Sequence, residues 1–481
     1  MRGAAFLREF LFQLIVLACV SFLPAAGQAH KGRAPRSSSA NVQFQAALAA
    51  YHSQQYEKAE ADLKPLLQSD PNSFEVNELA GLVYVAQKQF EKANLYLAKA
   101  VKLNPKLLEA RTAFATNLLR LNRPAEAEAE FRKARELSPS SFDANHNLGE
   151  FYIQTGNIPA AIPFLKRAQE INPSSYDNGY DLTLAYEQNN ELESARDSLR
   201  RLMQLHNSAE LHSLMGEIEE KSRNFLQAAK EYEQAARLDP TETNLLNWGA
   251  ELLLHQTFEP AIQVFTAALE RYPQSERLQN GLGIAFYGLG RFEEAGKAFL
   301  HASDLNPSDP LPISFLGQGY DNLSAGMGPE IQERLKEFLE RHPGNARLTY
   351  YYAMSLFRQN QARKDPGLDA QIEMLLKSAL ALDPGFADAH LQLGIIYSNQ
   401  QKYSDAIAQF GEALKSSPNS ASTHYRLGQA LAKSGETERA KQEFALFERL
   451  RQTEAEESAK EHNQVQQFVY SIRKSGDEGQ N

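Results

Sequence analysis

His390 and His424 lie 34 residues apart, and two imidazoles at one phase of neighbouring helices form an arrangement that can ligate a metal. His212 shares their phase. A metal centre also needs further ligands and partners that orient them, and the sequence places neither beside these histidines. Their recurrence predicts partly buried packing residues instead. Gly288-Leu289-Gly290 followed by Gly296-Lys297 has the residue types of a phosphate-cradling loop, but the spacing is wrong and no strand precedes it. Glu126, Glu128 and Glu130 alternate along one helix, which makes a solvated face rather than the paired acids of proton transfer. No His-Glu-x-x-His, Cys-x-x-Cys or Gly-x-Ser-x-Gly occurs. The sequence therefore predicts no catalytic residue, no cofactor and no metal.

The elements that would position any site are set by proline. Pro71, Pro105, Pro139 and Pro173 follow one another at intervals of 34, and Pro240, Pro273, Pro307, Pro343, Pro384 and Pro418 continue the series. Proline cannot continue a helix, so each marks a stop and a turn. A period of this length predicts one helix–turn–helix unit per repeat. With the closing proline numbered position 32, small residues recur at positions 8 and 20, as in Gly81/Ala93, Gly149/Ala161, Gly216/Ala228, Gly249/Ala261 and Gly428/Ala440. Small residues there let two helices cross closely. Large residues at positions 7, 11 and 24 fill the space around each crossing, and Trp248 belongs to that set. Aromatics at position 17, among them Tyr56, Phe90, Phe225, Phe258, Phe292 and Tyr403, are expected as buried anchors of the second helix. Gly156, Gly290 and Gly435 supply turns that tolerate positive φ.

These positions, quoted across units beginning at Phe74, Phe142, Glu276 and Ala387, resemble the tetratricopeptide repeat family. The resemblance covers roughly residues 40 to 450 in twelve units. It implies an all-α fold, a right-handed α-solenoid superhelix of antiparallel helix pairs. It also implies a concave groove lined by positions 2, 5, 9, 12 and 13 of each first helix. Co-chaperone members hold a partner's carboxylates with Lys and Asn at positions 5 and 9. Here position 5 holds no Lys and position 9 no Asn, so that clamp is not expected. The Asn ladder of the glycosyltransferase members is also absent.

The groove positions are graded. From the second to the sixth unit they are acidic, with Glu75, Glu78, Glu109, Asp143, Glu150, Asp177, Glu187, Glu210, Glu217 and Glu220, and with Tyr180 among them. From the seventh to the tenth they are apolar, with Leu246, Leu253, Ile284, Tyr287, Tyr350, Met354 and Phe357. Exposed apolar surface in a concave site marks binding. The expected partner is a protein or peptide carrying basic and apolar residues. A formal net charge of −10 argues against nucleic acid.

Three irregularities interrupt the array. The fifth unit ends in Leu205-His206-Asn207-Ser208 without proline. The ninth is longer, with an insertion at 322–330 whose Ser324–Pro329 reads as a turn, and the tenth carries a second insertion at 358–369 between its helices. In both, the small residue at position 20 gives way to Ile331 and Ile372, so close approach of the helices is expected to be lost.

The ends are different material. Arg2 and Arg8 flank a short n-region that precedes an apolar run from Leu11 to Leu23, followed by Ala25, Ala26, Gly27 and Ala29, the pattern of a signal peptide over 1–29. A retained anchor, or a lipid on Cys19, the single cysteine, would instead tether the chain to a membrane. Residues 30–40 read as a flexible leader, 451–473 as a capping helix and 474–481 as a disordered tail. The expected role is a non-catalytic protein-binding scaffold exported to the periplasm or cell envelope of a bacterium. An assembly subunit of a secretion, pilus or polysaccharide-export machine, or an accessory subunit of an envelope enzyme, remain as alternatives.

Overall fold

The computed structural model describes residues 38–452. The expected signal segment, Cys19, nearly all of the leader, the tail and the capping helix beyond 452 lie outside the described residues. Among the described residues the fold is all-α, a solenoid of tandem helix pairs without a strand. It falls into two compact units that divide between Asn207 and Ser208, where the series of prolines is interrupted. No helix among the described residues is long and apolar enough to cross a membrane.

The first unit holds α1 (Ser38–His52), α2 (Tyr56–Ser69), α3 (Phe74–Ala86), α4 (Phe90–Leu103), α5 (Leu108–Arg120), α6 (Pro124–Leu137), α7 (Phe142–Gln154), α8 (Ile158–Ile171), α9 (Tyr176–Gln188) and α10 (Leu192–Leu205). The second holds α11 (Ala209–Lys221), α12 (Phe225–Leu238), α13 (Glu242–Leu254), α14 (Phe258–Arg271), α15 (Glu276–Gly288), α16 (Phe292–Leu305), α17 (Pro310–Gln318), α18 (Tyr320–Arg341), α19 (Ala346–Arg363), α20 (Pro366–Leu382), α21 (Ala387–Asn399), α22 (Tyr403–Ser416) and α23 (Ala421–Ser434). A last helix runs from 437 to 452.

Local chemistry sets the ends of these helices. Ser73, Ser141, Ser175, Ser208, Thr241, Ser275 and Ser420 each accept a hydrogen bond from the backbone N–H three residues on, which satisfies one open donor of the first helix in a repeat. Position 15 takes a positive φ in nearly every repeat. Gly156, Gly290 and Gly435 do so at little cost, but Lys88, Asn122, Asn190, Arg223, Gln256 and Gln401 occupy the same left-handed turn.

The helix crossing is more specific than small-against-small. A Cβ added to Gly81 would stand 2.5 Å from the Leu97 side chain, and one on Gly149 would stand 2.6 Å from Leu165. The same holds for Gly249 against Phe265 at 2.4 Å and for Gly283 against Phe299 and Gly394 against Phe410 at 2.5 Å. Position 8 thus clears room for the side chain at position 24. Phe265 is fully buried, pressed also against Gly281 of the following repeat at 2.5 Å. The aromatics at position 17 differ from expectation. They are half-buried because they lean across the repeat border: the Phe225 ring meets His255 at 4.2 Å, and Phe258 lies over Gly288. Trp248 is likewise half-buried, packed beside the Phe265 cluster.

Two expectations are corrected in the ninth and tenth repeats. Ser324–Pro329 is not a turn but lies inside α18, with Pro329 within the helix. Leu323, Ile331, Leu335 and Phe338 recur at helical spacing and all are buried, so packing overrides the glycine and proline signals. The break falls earlier, at Gly319. In the tenth repeat 358–369 is not an open loop. The first helix continues to Arg363, Lys364 turns at φ 52°, and α20 begins at Pro366. Buried Asn360 ties the corner, accepting from the Asp365 N–H at 2.7 Å and donating to Asp369 at 2.7 Å.

Replacing Gly249 or Gly281 by Ala should cost about 1–3 kcal/mol, the range for overpacking a tight core. Gly411 is helical with nothing within 4 Å of its added Cβ, so Gly411→Ala should be neutral or slightly stabilising. Urea unfolding followed by circular dichroism measures all three, and equal midpoints would show that the crossing tolerates a methyl group.

Candidate functional site

Position 4 comes first, because the histidines suggested metal chemistry there. His424 does not face His390. Its Nδ1 meets Glu443 at 2.6 Å and its Nε2 meets the Pro418 carbonyl at 2.9 Å. His390 meets Gln409 at 2.7 Å and the Pro384 carbonyl at 3.1 Å. His212 meets Glu231 at 2.6 Å. Other residues play the same part: the Asn77 and Asn145 amides donate to the Pro71 and Pro139 carbonyls, and Arg111 donates to Pro105 while pairing with Glu130. Position 4 is a clasp that satisfies the carbonyl of the helix-stopping proline. The His390 and His424 nitrogens are engaged by a side chain of their own repeat and by the proline that closes the repeat before it.

The acidic groove positions of the first unit are crowded and partly dry. Glu78 is buried, and burial pushes its carboxyl up to about 8, with Glu109 and Glu75 adding to the effect. Glu150 is buried as well, and burial raises it to about 7. His146 opposes that shift, while Asp181 and Asp177 add to it. Asp181, which sequence reasoning did not single out, is raised to about 6 by burial, again opposed by His146. The structure therefore brings Glu150 together with His146, Asp177 and Asp181 across the border of the fourth and fifth repeats. Tyr180 is half-buried and stacks on Tyr176 at 6.1 Å, and Glu187 is half-buried. In the second unit, Glu217 is exposed on α11.

The apolar positions of the second unit are less open than expected. Leu246 and Leu253 pack against the cluster around Phe265. Ile284 and Tyr287 pack against that of the eighth and ninth repeats, and Tyr350 and Phe357 against that of the tenth and eleventh. The Tyr350 ring lies 5.0 Å from Phe386, the residue that precedes the first helix of the next repeat, and burial raises its hydroxyl pKa. Met354 is half-buried. Large apolar groove residues that do face water include Leu254, 67% exposed, and Leu311, 47% exposed. They stand at positions 13 and 2, so their phase marks them in the sequence. Polar links run between repeats here: Asn322 donates to the Tyr287 hydroxyl at 2.8 Å, and Arg358 forms a two-pronged pair with Asp321. The helical insertion of the ninth repeat also walls a shallow cleft with Glu293, Lys297, His301 and Asp304 of α16.

Models of the tetratricopeptide repeat match residues 44–107, 112–176, 246–310 and 375–408, and a TPR repeat model matches 396–435. Protein O-mannosyl-transferase TMTC3 of Mus musculus is 25% identical over 187 residues, 36% of this chain and 20% of that protein. The TPR repeat-containing protein YpiA of Bacillus subtilis is 26% identical over 187 residues, 39% of this chain and 42% of that protein. The chain thus spans about a fifth of the first relative and about two fifths of the second. Among solved structures, the C-terminal part of a TPR repeat-containing protein from Cytophaga hutchinsonii superposes with a TM-score of 0.42 at 15% identity, over 56% of this chain and 98% of that one.

The raised carboxyls predict a pH dependence. Between the ordinary carboxylate range and about pH 8, folded Glu78 holds a proton that the unfolded chain has released. Stability should therefore fall as pH rises through that window. Glu78→Gln should flatten the fall, and Glu150→Gln should do so up to about pH 7. Glu126→Gln, at a surface pair with Arg123, should leave it unchanged. Thermal unfolding at stepped pH reads the slopes, and identical slopes in all four proteins would mean these acids are hydrated.

Proposed function

The chain belongs to the tetratricopeptide repeat family, a protein-interaction scaffold, and from that premise we propose that it works by binding a protein partner through the first-helix faces of its repeats and not by catalysis. The observation that carries this reading is the contrast between the faces of its two units. Glu78, Glu150 and Asp181 are buried acids whose neighbours along the groove positions are largely other acids, so a Lys or Arg from a partner restores their charge and its own partner at once. Leu254 and Leu311 offer exposed apolar anchors on the second unit, and half-buried Met354 and Phe357 occupy groove positions of its tenth repeat. The partner segment is an extended peptide or a helix with basic residues for the first face and apolar residues for the second. The setting is the envelope of a bacterium, supported by the apolar run and small-residue site within 1–29.

Crosslinking in the native cell followed by mass spectrometry identifies the partner, and two variants test where it binds. Leu254→Lys and Met354→Lys add charge at sites that are not fully buried, so circular dichroism should be unchanged while recovery of the crosslinked partner falls at least about tenfold. Full recovery with both would sink the reading. Fractionation of the same cells checks export: a mature chain shortened by about 29 residues in the periplasm is the expected form, and a full-length chain in the cytoplasm overturns it.

A further inference from the structure

The sixth and seventh repeats, both within the second unit, bring the groove acid Glu220 together with two side chains, Glu251 and His255, that no groove position explains. Glu251 and His255 are four residues apart and share one face of the helix and its end. Glu220 reaches them from α11. The His255 Nε2 lies 3.3 Å from Glu251 Oε1 and 3.5 Å from Glu220 Oε2, and the donor atoms of all three lie within 4.8 Å of one another. Donors held at about 2.0–2.2 Å around a tetrahedral ion stand about 3.3–3.5 Å apart. The two histidine–carboxylate separations are therefore edges of one such tetrahedron.

The surroundings ask for a cation. Glu251 is only 2% exposed, and its Oε1 is buried without a hydrogen-bond partner, as is Glu220 Oε2. A buried carboxylate oxygen without a donor is costly unless it coordinates. The Phe225 ring closes one side at 4.2 Å from the imidazole. The Glu220 side chain is 32% exposed, so the opposite side admits water as a fourth ligand.

We propose that Glu220, Glu251 and His255 bind one divalent transition-metal ion, zinc by its preference for imidazole with carboxylate, and that the ion ties the sixth repeat to the seventh. Bound zinc neutralises both carboxylates and fixes the border between α11 and α13.

The test titrates zinc chloride into the full chain after chelator treatment, by calorimetry, with metal content measured after dialysis. One zinc per chain is expected. Glu251→Gln and His255→Gln, which keep approximate shape, should each weaken binding at least tenfold, and bound zinc should raise the thermal midpoint of the parent but not of these variants. His424→Gln, at a histidine engaged by Glu443 and Pro418, should bind as the parent does. If Glu251→Gln fails to fold, the more exposed Glu220→Gln carries the comparison. Absence of stoichiometric zinc, or equal affinity in the parent and the site variants, overturns the proposal.

Discussion

The array rests on one contact, made in most repeats: the side chain at position 24 lying on a small residue at position 8. Leu97 over Gly81 and Phe410 over Gly394 leave no space even for a methyl group. That closeness fixes how the two helices of a repeat cross, and therefore which face of the first helix meets the next repeat and which is left for a partner. Phe265 shows how the contact propagates, because it is held at once by Gly249 in its own repeat and Gly281 in the following one. A solenoid has no central core, so nearest-neighbour contacts of this kind carry its order from repeat to repeat.

Much of this was legible in the sequence because each rule acts within one period. Proline stops a helix wherever it falls in the turn, and the small residues at position 8 announce the crossing. What the sequence hid depends on neighbours. The run from Ser324 to Pro329 has every local sign of a turn, yet Leu323, Ile331 and Leu335 hold it helical through burial against adjacent helices. The aromatic at position 17 looked like an anchor of its own helix, but Phe225 spends its ring on the next repeat. The cluster of Glu220, Glu251 and His255 joins two repeats at three different positions, so no single period displays it. Of the histidines that did repeat, His390 and His424 turned out to be clasps on proline carbonyls.

The same dependence on borders explains the electrostatics of the candidate site. Groove positions 2, 5 and 9 of one repeat lie beside positions 2 and 6 of the next, so an acid in one raises the pKa of an acid in the other. Glu78 feels Glu109, and Glu150 feels Asp181, in each case one repeat further on. Surface acids such as Glu128, which accepts from the Tyr152 hydroxyl of the following repeat and pairs with Arg132 on its own helix, are held down instead. The contrast separates acids that solvate a helix from acids gathered on one face. Gathering them costs stability in the isolated chain, which gives a physical reason to connect that face with binding.

The two long repeats show which part of the period is free to vary. Their extra residues extend the ends of helices, through α18 in the ninth repeat and through the end of α19 and the start of α20 in the tenth. The crossing is displaced along the chain but not abandoned. In the tenth repeat Leu376 is fully buried and Ala353 keeps position 8 small; in the ninth Leu335 is fully buried, but the space over Gly317 is filled by Tyr351 of the next repeat. Ile331 and Ile372 replace a small residue and are buried all the same, so the loss of small side chains at position 20 does not expose the crossing. A small residue at position 8 facing a buried large side chain is therefore the constraint, and position 20 the adaptable partner. Length added outside that pair changes the rim of a repeat, as the cleft beside Met327 shows, while leaving its packing intact.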